Sequence, residues 1–351
     1  MLVNQMIKFY KPSIGKKDLE SVLYCMIGDD LSPGDHLKTF SSMLCRELDL
    51  STTIVFSIYL YTFENIFHLI DAVPGDEVIL PSFARYGILH AIEKYRLKPV
   101  LVDLADDSLL PSIEAIRKKI SKSTCCLFIP QMFGIANDLS DFHEFQLPLI
   151  EDIDGSIGSR VNGKAVGNFG TFVTMNFNDN SMLATGGGGL VASGDKRLKQ
   201  LSKSFKENLS KENLSYEEYL MSDFNASLGI SQLNQLQRSL EIRKKIGQNY
   251  DNAVMASGCT LVGRDETKKL SYSSYVVKTQ TPFKDCMQSF KRLGIPIKRG
   301  IEKPLHSFLD LGIDGFANTE VMNNSLVTLP IYPGLSNEDI ENIVKGIRTI
   351  L

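Results

Sequence analysis

Apolar runs of strand length alternate with helical patterns along the first two-thirds of the chain. Five runs are typical of buried strands: 53–57, 77–80, 99–104, 125–130 and 148–152. Between them, apolar residues recur three and four positions apart, for example at Leu60, Phe63 and Phe67. This alternation predicts an α/β fold with a mostly parallel sheet.

The pattern changes after a long helix that is marked by Leu228, Leu233, Leu236 and Leu240 and runs on toward Tyr250. The elements predicted beyond it are a strand at 272–278, a helix at 283–293, a short strand at 295–298 and an amphipathic helix at 337–350. We therefore expect a large α/β domain over residues 1–240 and a smaller α+β domain over residues 241–351.

Composition and charge limit the classes of protein that need to be considered. The 351 residues are 43% hydrophobic and 23% charged, which is ordinary for a globular chain with a large core. A net charge of -3 gives no electrostatic reason to expect nucleic acid or an anionic membrane as a partner. No apolar run reaches the ~18 residues of a transmembrane helix, and the first residues lack the apolar core of a signal peptide. We expect a cytoplasmic protein with no membrane association.

Motifs for metals and phosphates are weak. The six cysteines form no CxxC pair and the five histidines show no HxxxH or HExxH spacing, so free thiols and no histidine metal site are expected. The glycines of 185–189 (TGGGG) lack the GxGxxG spacing and predict a tight turn. Asp152 and Asp154 form a DxD that could bind a divalent metal with a nucleotide diphosphate, although a polar turn is the simpler interpretation. The charged run at 203–215 predicts a solvated helix and loop.

Five sequence motifs, spread over nearly the whole chain, occur in the order in which a known protein family has them. They are PGDEVILPSF at 74–83, FIPQMFGIANDL at 128–139, LIEDIDGSIGS at 149–159, MSDFNASLGISQLNQL at 221–236 and LVTLPIYPGLSNEDI at 326–340. Together they resemble the DegT/DnrJ/StrS sugar aminotransferases. The resemblance implies fold type I of the pyridoxal phosphate (PLP) enzymes: a large domain with a mixed, mostly parallel seven-stranded sheet, a small C-terminal domain, and a dimer with each active site at the subunit interface.

The segment 171–189, TFVTMNFNDNSMLATGGGG, resembles the family segment that carries the cofactor lysine, yet it contains no lysine. Ser181 occupies the position that the resemblance assigns to that lysine. A primary amine is needed there, because only an amine forms the internal aldimine with PLP. The resemblance thus identifies a family and at the same time argues against that family's usual reaction.

Other positions that the resemblance assigns to the cofactor are also changed. Ser57 is followed by the bulky residues of 58–60 (IYL) where the family has a small phosphate-binding turn. Arg85 stands where an aromatic residue stacks on the pyridine ring, and Asn176 replaces a serine that contacts phosphate. Asp152, the partner of the pyridinium nitrogen, is retained.

A further assigned segment lies at 218–221 (EYLM), where the family has an Asn-Tyr-Arg-Met run that reaches toward the partner subunit. A carboxylate at Glu218 in place of an amide would repel phosphate. Lys164 and Lys303 are the nearest candidates for a migrated amine, although Lys164 is more simply explained as an exposed hairpin lysine.

We expect a protein without a catalytic lysine and without a bound cofactor or metal. It would act as a homodimeric binding or partner protein in nucleotide-sugar or polysaccharide metabolism. Two alternatives remain open. One is an aminotransferase or dehydratase with an atypical site for PLP or pyridoxamine phosphate (PMP); the related sugar 3-dehydratases replace the lysine by histidine, which can act as a base where Ser181 cannot. The other is a heteromer in which the chain completes the site of a lysine-bearing paralogue.

Overall fold

A computed structural model describes residues 7–28, 31–194, 203, 207 and 215–351. Most of the run at 203–215, for which a solvated helix and loop were predicted, lies outside the described residues. All six cysteines are free thiols. In the described part of the chain, no helix combines the length and the apolar composition that a membrane crossing requires.

A mixed seven-stranded sheet forms the centre of the large domain. Its strands are β1 (Thr52–Phe56), β2 (Glu77–Pro81), β3 (Lys98–Val102), β4 (Thr124–Pro130), β5 (Leu149–Asp152), β8 (Phe172–Asn176) and β9 (Gly189–Ser193). Their spatial order is β1-β9-β8-β5-β4-β2-β3. The strands from β8 to β3 are parallel, and β9 pairs antiparallel with both of its neighbours. This confirms the predicted α/β fold class with a mostly parallel sheet.

Helices cover both faces of this sheet, since successive strand residues point to opposite sides. The helices of this region are α1 (Lys16–Ile27), α2 (Asp35–Leu48), α3 (Leu60–Leu69), α4 (Gly87–Lys94) and α5 (Ile113–Lys119). On β1, Val55 packs in one apolar cluster with Phe40 of α2, whereas Phe56 packs in a second cluster with Phe63 of α3. Burial on both faces explains why the strands appear in the sequence as continuous apolar runs.

A long helix, α6 (Asp223–Met255), begins at the N-cap Ser222, whose hydroxyl accepts the Asn225 N–H at 3.3 Å. It packs against α1 and α2 near its start and against the C-terminal helix near its end. Residues 240 and 241, on either side of the predicted domain boundary, both lie within this helix.

The C-terminal region builds a four-stranded antiparallel sheet in the order β10-β12-β14-β13. Its strands are β10 (Thr260–Leu261), β12 (Tyr275–Lys278), β13 (Lys298–Arg299) and β14 (Leu326–Leu329), and its helices are α7 (Phe283–Arg292), α8 (Leu305–Phe308), α9 (Ala317–Ser325) and α10 (Asn337–Ile350). The strand predicted at 272–278 starts only at Tyr275, because Tyr272 takes the left-handed conformation with φ 49°.

A small third sheet connects the two regions. The hairpin of β6 (Arg160–Val161) and β7 (Lys164–Ala165) follows β5, and β11 (Lys268–Lys269) pairs with β6. Residues 271–273 add direct contacts, since the Ser271 N–H donates to Ser159 Oγ at 3.1 Å. The loop after β5 is therefore held by both regions of the chain.

Candidate functional site

The predicted site residues gather at the carboxyl ends of the parallel strands, which is where open α/β sheets bind ligands. Asp152 ends β5 and Asn176 ends β8, while Ser57 follows β1. Arg85 lies in the connection between β2 and α4, and Ser181 lies in the loop between β8 and β9. The topology of the sheet thus brings residues from four separate segments of the chain to one edge.

Asp154, two residues beyond β5, is the centre of the hydrogen-bonded part of the site. The Arg85 guanidinium forms an ion pair with its Oδ2, and the Ser181 hydroxyl donates to its Oδ1 at 2.8 Å. The Asp154 N–H donates in turn to Asp152 Oδ1 at 3.1 Å. The residue at the position assigned to the lysine is therefore hydrogen-bonded to a carboxylate that Arg85 also neutralises.

Asp152 is buried, and its carboxyl group has a raised pKa. Burial raises its pKa to about 7, and repulsion from the Asp154 carboxylate acts in the same direction. The Arg85 guanidinium and the Tyr59 hydroxyl lower the pKa and so offset part of this rise. Near neutral pH the Asp152 carboxyl is divided between its neutral and charged forms.

Tyr59 lies beside Asp152 and belongs to the bulky turn after β1. Its hydroxyl is 3.4 Å from Thr174 Oγ1. Burial raises the pKa of Tyr59 well above its usual range, and the carboxylates of Asp152 and Asp154 raise it further. A neutral phenol is thus a neighbour of the carboxyl group to which the resemblance assigns a pyridinium partner.

Ser57 uses its hydrogen-bond donors within the chain. Its N–H and its hydroxyl both donate to the Tyr219 carbonyl, at 2.8 Å and 3.1 Å. The Met221 N–H donates to the Val55 carbonyl at 3.1 Å, so that this segment continues along the end of β1. The segment 218–221, for which the resemblance implies a reach toward a partner subunit, therefore contacts the β1 end of its own chain.

The segment around Ser181 is held by two further contacts. Asn176 Oδ1 accepts the Asn178 N–H at 3.0 Å, and the Tyr10 hydroxyl donates to the Ser181 carbonyl at 3.0 Å. Sequence reasoning missed Tyr10, because it is separated from Ser181 by 171 positions and belongs to no recognisable motif.

The two candidate lysines make other contacts. Lys164, on β7, places its Nζ 4.1 Å from the centre of the Phe169 ring, and Lys303 Nζ lies 4.9 Å from that of Phe308. Both contacts are of the cation–π type.

The position that the resemblance assigns to the lysine does not supply the primary amine that a Schiff-base cofactor requires. Position 181 offers a hydroxyl instead of an amine, the donors of Ser57 are already used, and Asp152 is flanked by Tyr59 and Arg85. Among the described residues, no group of three or more His, Cys, Asp or Glu side chains is arranged to hold a metal ion.

Comparisons with known proteins agree with this architecture. GDP-perosamine synthase of Vibrio cholerae is 28% identical over 364 residues, covering 98% of each chain. The aminotransferase TlmJ from Streptoalloteichus hindustanus superimposes with a TM-score of 0.88 at 23% identity, and covers 98% of each chain. The PLP form of the putative sugar aminotransferase Spr1654 from Streptococcus pneumoniae gives a TM-score of 0.90 at 21% identity over 98% of each chain.

These solved structures establish a fold shared with PLP aminotransferases. The profile of the DegT/DnrJ/EryC1/StrS aminotransferase family matches residues 12–348. The chain therefore belongs to the DegT/DnrJ/EryC1/StrS aminotransferase family.

Proposed function

We propose that this member of the family does not form a Schiff base with PLP and acts as a cytoplasmic binding or partner protein in nucleotide-sugar or polysaccharide metabolism. The observation that carries the proposal is the contact between the Ser181 hydroxyl and Asp154 at the position assigned to the lysine. A hydroxyl without an adjacent base is a poor nucleophile, and the nearest ionisable group is a carboxylate already paired with Arg85.

The surroundings of Asp152 support the same proposal. In a PLP enzyme the carboxylate at this position stays charged because it faces a pyridinium cation. Here burial and a second carboxylate favour the neutral carboxyl, and Tyr59 offers a neutral hydroxyl. The Arg85 guanidinium already neutralises Asp154 and lowers the pKa of Asp152, and its positive charge weakens the attraction of these carboxylates for a cationic ring.

The nucleotide-sugar part of the proposal rests on the relatives. The Vibrio cholerae relative, which aligns over 98% of each chain, is named for the synthesis of a GDP-linked sugar. We expect this chain to retain a ligand of that general class while lacking the amine that transamination requires.

The proposal is tested with the purified protein and added PLP. We expect no visible absorbance typical of an aldimine and no lysine labelled after borohydride reduction and peptide mapping. Labelling of Lys164, Lys303 or any other lysine in stoichiometric amount would contradict the proposal. Denatured protein treated in the same way controls for nonspecific labelling of surface amines.

Retention of Asp152 favours one alternative, an enzyme that uses PLP or PMP in an atypical site. That alternative predicts saturable binding of PMP, weakened by Asp152→Ala, and turnover of a nucleotide sugar. No binding at high PMP concentration would eliminate it.

Homodimer formation is part of the proposal and is supported by the outer face of α1. Leu19, Leu23, Tyr24, Met26 and Ile27 are each between 51 and 75% exposed. The inner face against α6 carries small and polar residues instead, such as Asp18 and Cys25. A helix with its larger apolar side chains outward predicts a covering partner.

The partner that we propose for this face is a second copy of the chain. Light scattering of the wild type should give the mass of a dimer, and Leu23→Glu with Ile27→Glu should give the mass of a monomer. A wild-type monomer that becomes a heterodimer only with a lysine-bearing paralogue would replace the homodimer by the heteromeric alternative.

A further inference from the structure

Cys125 and Cys126 are adjacent residues near the start of β4, and their sulfur atoms lie 3.8 Å apart. Adjacent side chains of a regular strand point to opposite faces of the sheet. A β-bulge changes this arrangement here: Glu77 of β2 is opposite Thr124, but Val78 is opposite Cys126, so that Cys125 is the extra residue. The Cys125 sulfur leans toward β2 and lies 3.3 Å from the Glu77 carbonyl oxygen. The bulge therefore brings together two thiols that a regular strand would separate.

The pair lies at the opposite edge of the sheet from the candidate site. Pro130, at the other end of β4, is opposite Asp152, and the rise from Cys125 to Pro130 along the strand is about 16 Å. Cys126 is fully buried, whereas Cys125 is half-buried and follows the exposed residues of 121–123. One thiol can thus be reached from solvent, and the other is its neighbour in the interior.

The two thiols differ in acidity because one can donate to the other. When Cys125 is a thiolate, the hydrogen bond from the Cys126 thiol lowers the pKa of Cys125, and burial offsets part of this fall. The same hydrogen bond raises the pKa of Cys126 well above its usual range, and burial raises it further. The thiolate is the form that attacks electrophiles and binds soft metals, so Cys125 is the thiol that reacts first.

Two neighbouring sulfur atoms suit a soft centre that needs two ligands from the protein. Sulfur ligands about 2.3 Å from one atom lie about 3.4–3.8 Å apart at bond angles of about 95–110°, and the observed separation is at the upper end of that range. A structural zinc site takes four ligands, and among the described residues no group of three or more His, Cys, Asp or Glu side chains includes this pair. A trivalent arsenic atom that carries one organic group needs only two sulfurs to complete its three bonds.

We propose that Cys125 and Cys126 form a binding site for thiophilic centres that take two sulfur ligands, of the class of monosubstituted trivalent arsenicals. With an arsonous acid, R–As(OH)₂, two As–S bonds form and two As–O bonds break. The two thiol protons leave with the hydroxide groups as two molecules of water, and the arsenic atom stays trivalent. The site is independent of the proposed function, because neither thiol lies at the edge of the sheet that carries Asp152.

The test uses the full-length protein and phenylarsine oxide, which hydrates in water to the arsonous acid. Native mass spectrometry measures the adduct, and alkylation after unfolding followed by peptide mapping identifies the protected cysteines. Cys125→Ser and Cys126→Ala each remove one sulfur of the pair. Cys45→Ser, which removes a different half-buried thiol, is the matched control. Circular dichroism checks that each variant is folded; if Cys126→Ala does not fold, the half-buried Cys125→Ser decides the outcome alone.

We expect one phenylarsenic group per chain, with Cys125 and Cys126 protected and the remaining cysteines alkylated. Each variant of the pair should bind more weakly by about a hundredfold, because the second As–S bond closes within one chain, whereas Cys45→Ser should bind like the wild type. Dimercaptopropanol should release the adduct, and excess mercaptoethanol should not. Absence of an adduct on the folded protein, protection of a different cysteine, or undiminished binding by Cys125→Ser would overturn the inference. None of these outcomes depends on PLP, so the proposed function is tested separately.

Discussion

Two neighbouring carboxylates on β5 have opposite surroundings. Glu151 is fully buried and accepts main-chain N–H groups of Gly167, Phe169 and Gly170 at 2.8, 3.0 and 2.9 Å, with the Gln131 amide at 3.3 Å. Asp152, on the other face of the strand, has the N–H of Asp154 as its main-chain donor and otherwise faces side chains. Glu151 is thus held mainly by main-chain N–H groups, whereas Asp152 is surrounded mainly by side chains, which substitutions can change.

The main-chain donors around Glu151 stabilise the fold, whereas the side chains around Asp152 determine the chemistry of the site. Donors supplied by the backbone depend on the path of the chain; at Gly170 a Cβ atom would lie 2.8 Å from that of Glu151 and 2.7 Å from the Phe172 carbonyl, so glycine is required there. Donors supplied by side chains can change one substitution at a time. The family fold can therefore persist while side chains on the Asp152 side of the strand are substituted.

The largest expected effect is that of Glu151→Ala. Three main-chain N–H groups would lose their acceptor inside the core, at about 1–3 kcal/mol each. We expect the free energy of unfolding to fall by roughly 5 kcal/mol, as measured by urea denaturation. The control is Glu144→Ala, which breaks an exposed pair with Arg117 and should cost less than about 1 kcal/mol. Similar urea midpoints for Glu151→Ala and Glu144→Ala would show that the main-chain donors around Glu151 do not stabilise the fold.

Asp152→Asn should have the opposite sign and should depend on pH. The pKa of Asp152 in the folded protein, about 7, lies above the value of about 4 in model peptides. The wild type therefore loses stability as the pH rises from about 4 to about 7. Above pH 7 the buried carboxyl is ionised and the loss of stability has reached its full size. The variant lacks this loss and should be more stable at pH 8 by about 2–4 kcal/mol.

The measurement is a series of urea midpoints from pH 5 to pH 8, with the exposed Asp106→Asn as control. A wild type whose stability does not fall over this range, or an Asp152→Asn protein destabilised at pH 8, would show that Asp152 is a stably charged group. That outcome would bring Asp152 closer to the cofactor-binding role that the resemblance assigns to it.

Arg85→Gln should have a smaller effect. The guanidinium is 53% exposed but the Asp154 side chain is only 11% exposed, so that loss of the cation should cost about 1–2 kcal/mol. The variant should raise the pKa of Asp152 further, because the cation that lowers it is lost. Carboxyl ¹³C NMR titration measures this shift, and Arg117→Gln, at an exposed pair far along the chain, should leave it unchanged.

The smallest effect on function is expected for Ser181→Lys. The new ammonium group would lie next to the Asp154 carboxylate, which favours its protonated and unreactive form. The Ser57 donors and Tyr59 would remain as they are, so we expect no aldimine absorbance with PLP. If this single change were sufficient to produce that absorbance, the differences around Asp152 would be unimportant for cofactor binding.

The sequence predicted the sheet better than the site. Apolar runs such as those at 77–80 and 148–152 are buried on both faces, and their limits agree to within one residue with β2 and β5. The resemblance assigned Asp152, Arg85 and Ser181 to one cofactor site, and in the structure Arg85 and Ser181 both contact Asp154. The convergence of Arg85 and Ser181 on Asp154, however, depends on side-chain directions across three connections, which no local pattern encodes.

Contacts over long sequence separations could not be predicted for the same reason. Ser57 donates to the Tyr219 carbonyl, and the Tyr10 hydroxyl donates to the Ser181 carbonyl. Each of these contacts joins parts of the chain that are far apart in sequence, and hydrophobic periodicity gives no information about such pairs. The strand limit at Tyr275 was missed because nothing in the sequence indicates a left-handed tyrosine at 272.

The position of β9 has a consequence for how the chain folds during synthesis. β1 has β9 as its partner in the sheet, with Thr52 opposite Ser193, and β9 in turn separates β1 from β8. The first strand to leave the ribosome must therefore wait, with its edge unpaired, until more than half of the chain has followed. Such long-range pairing slows folding and exposes an apolar edge to aggregation, so we expect the yield of native protein to depend on chaperones that bind the nascent N-terminal half.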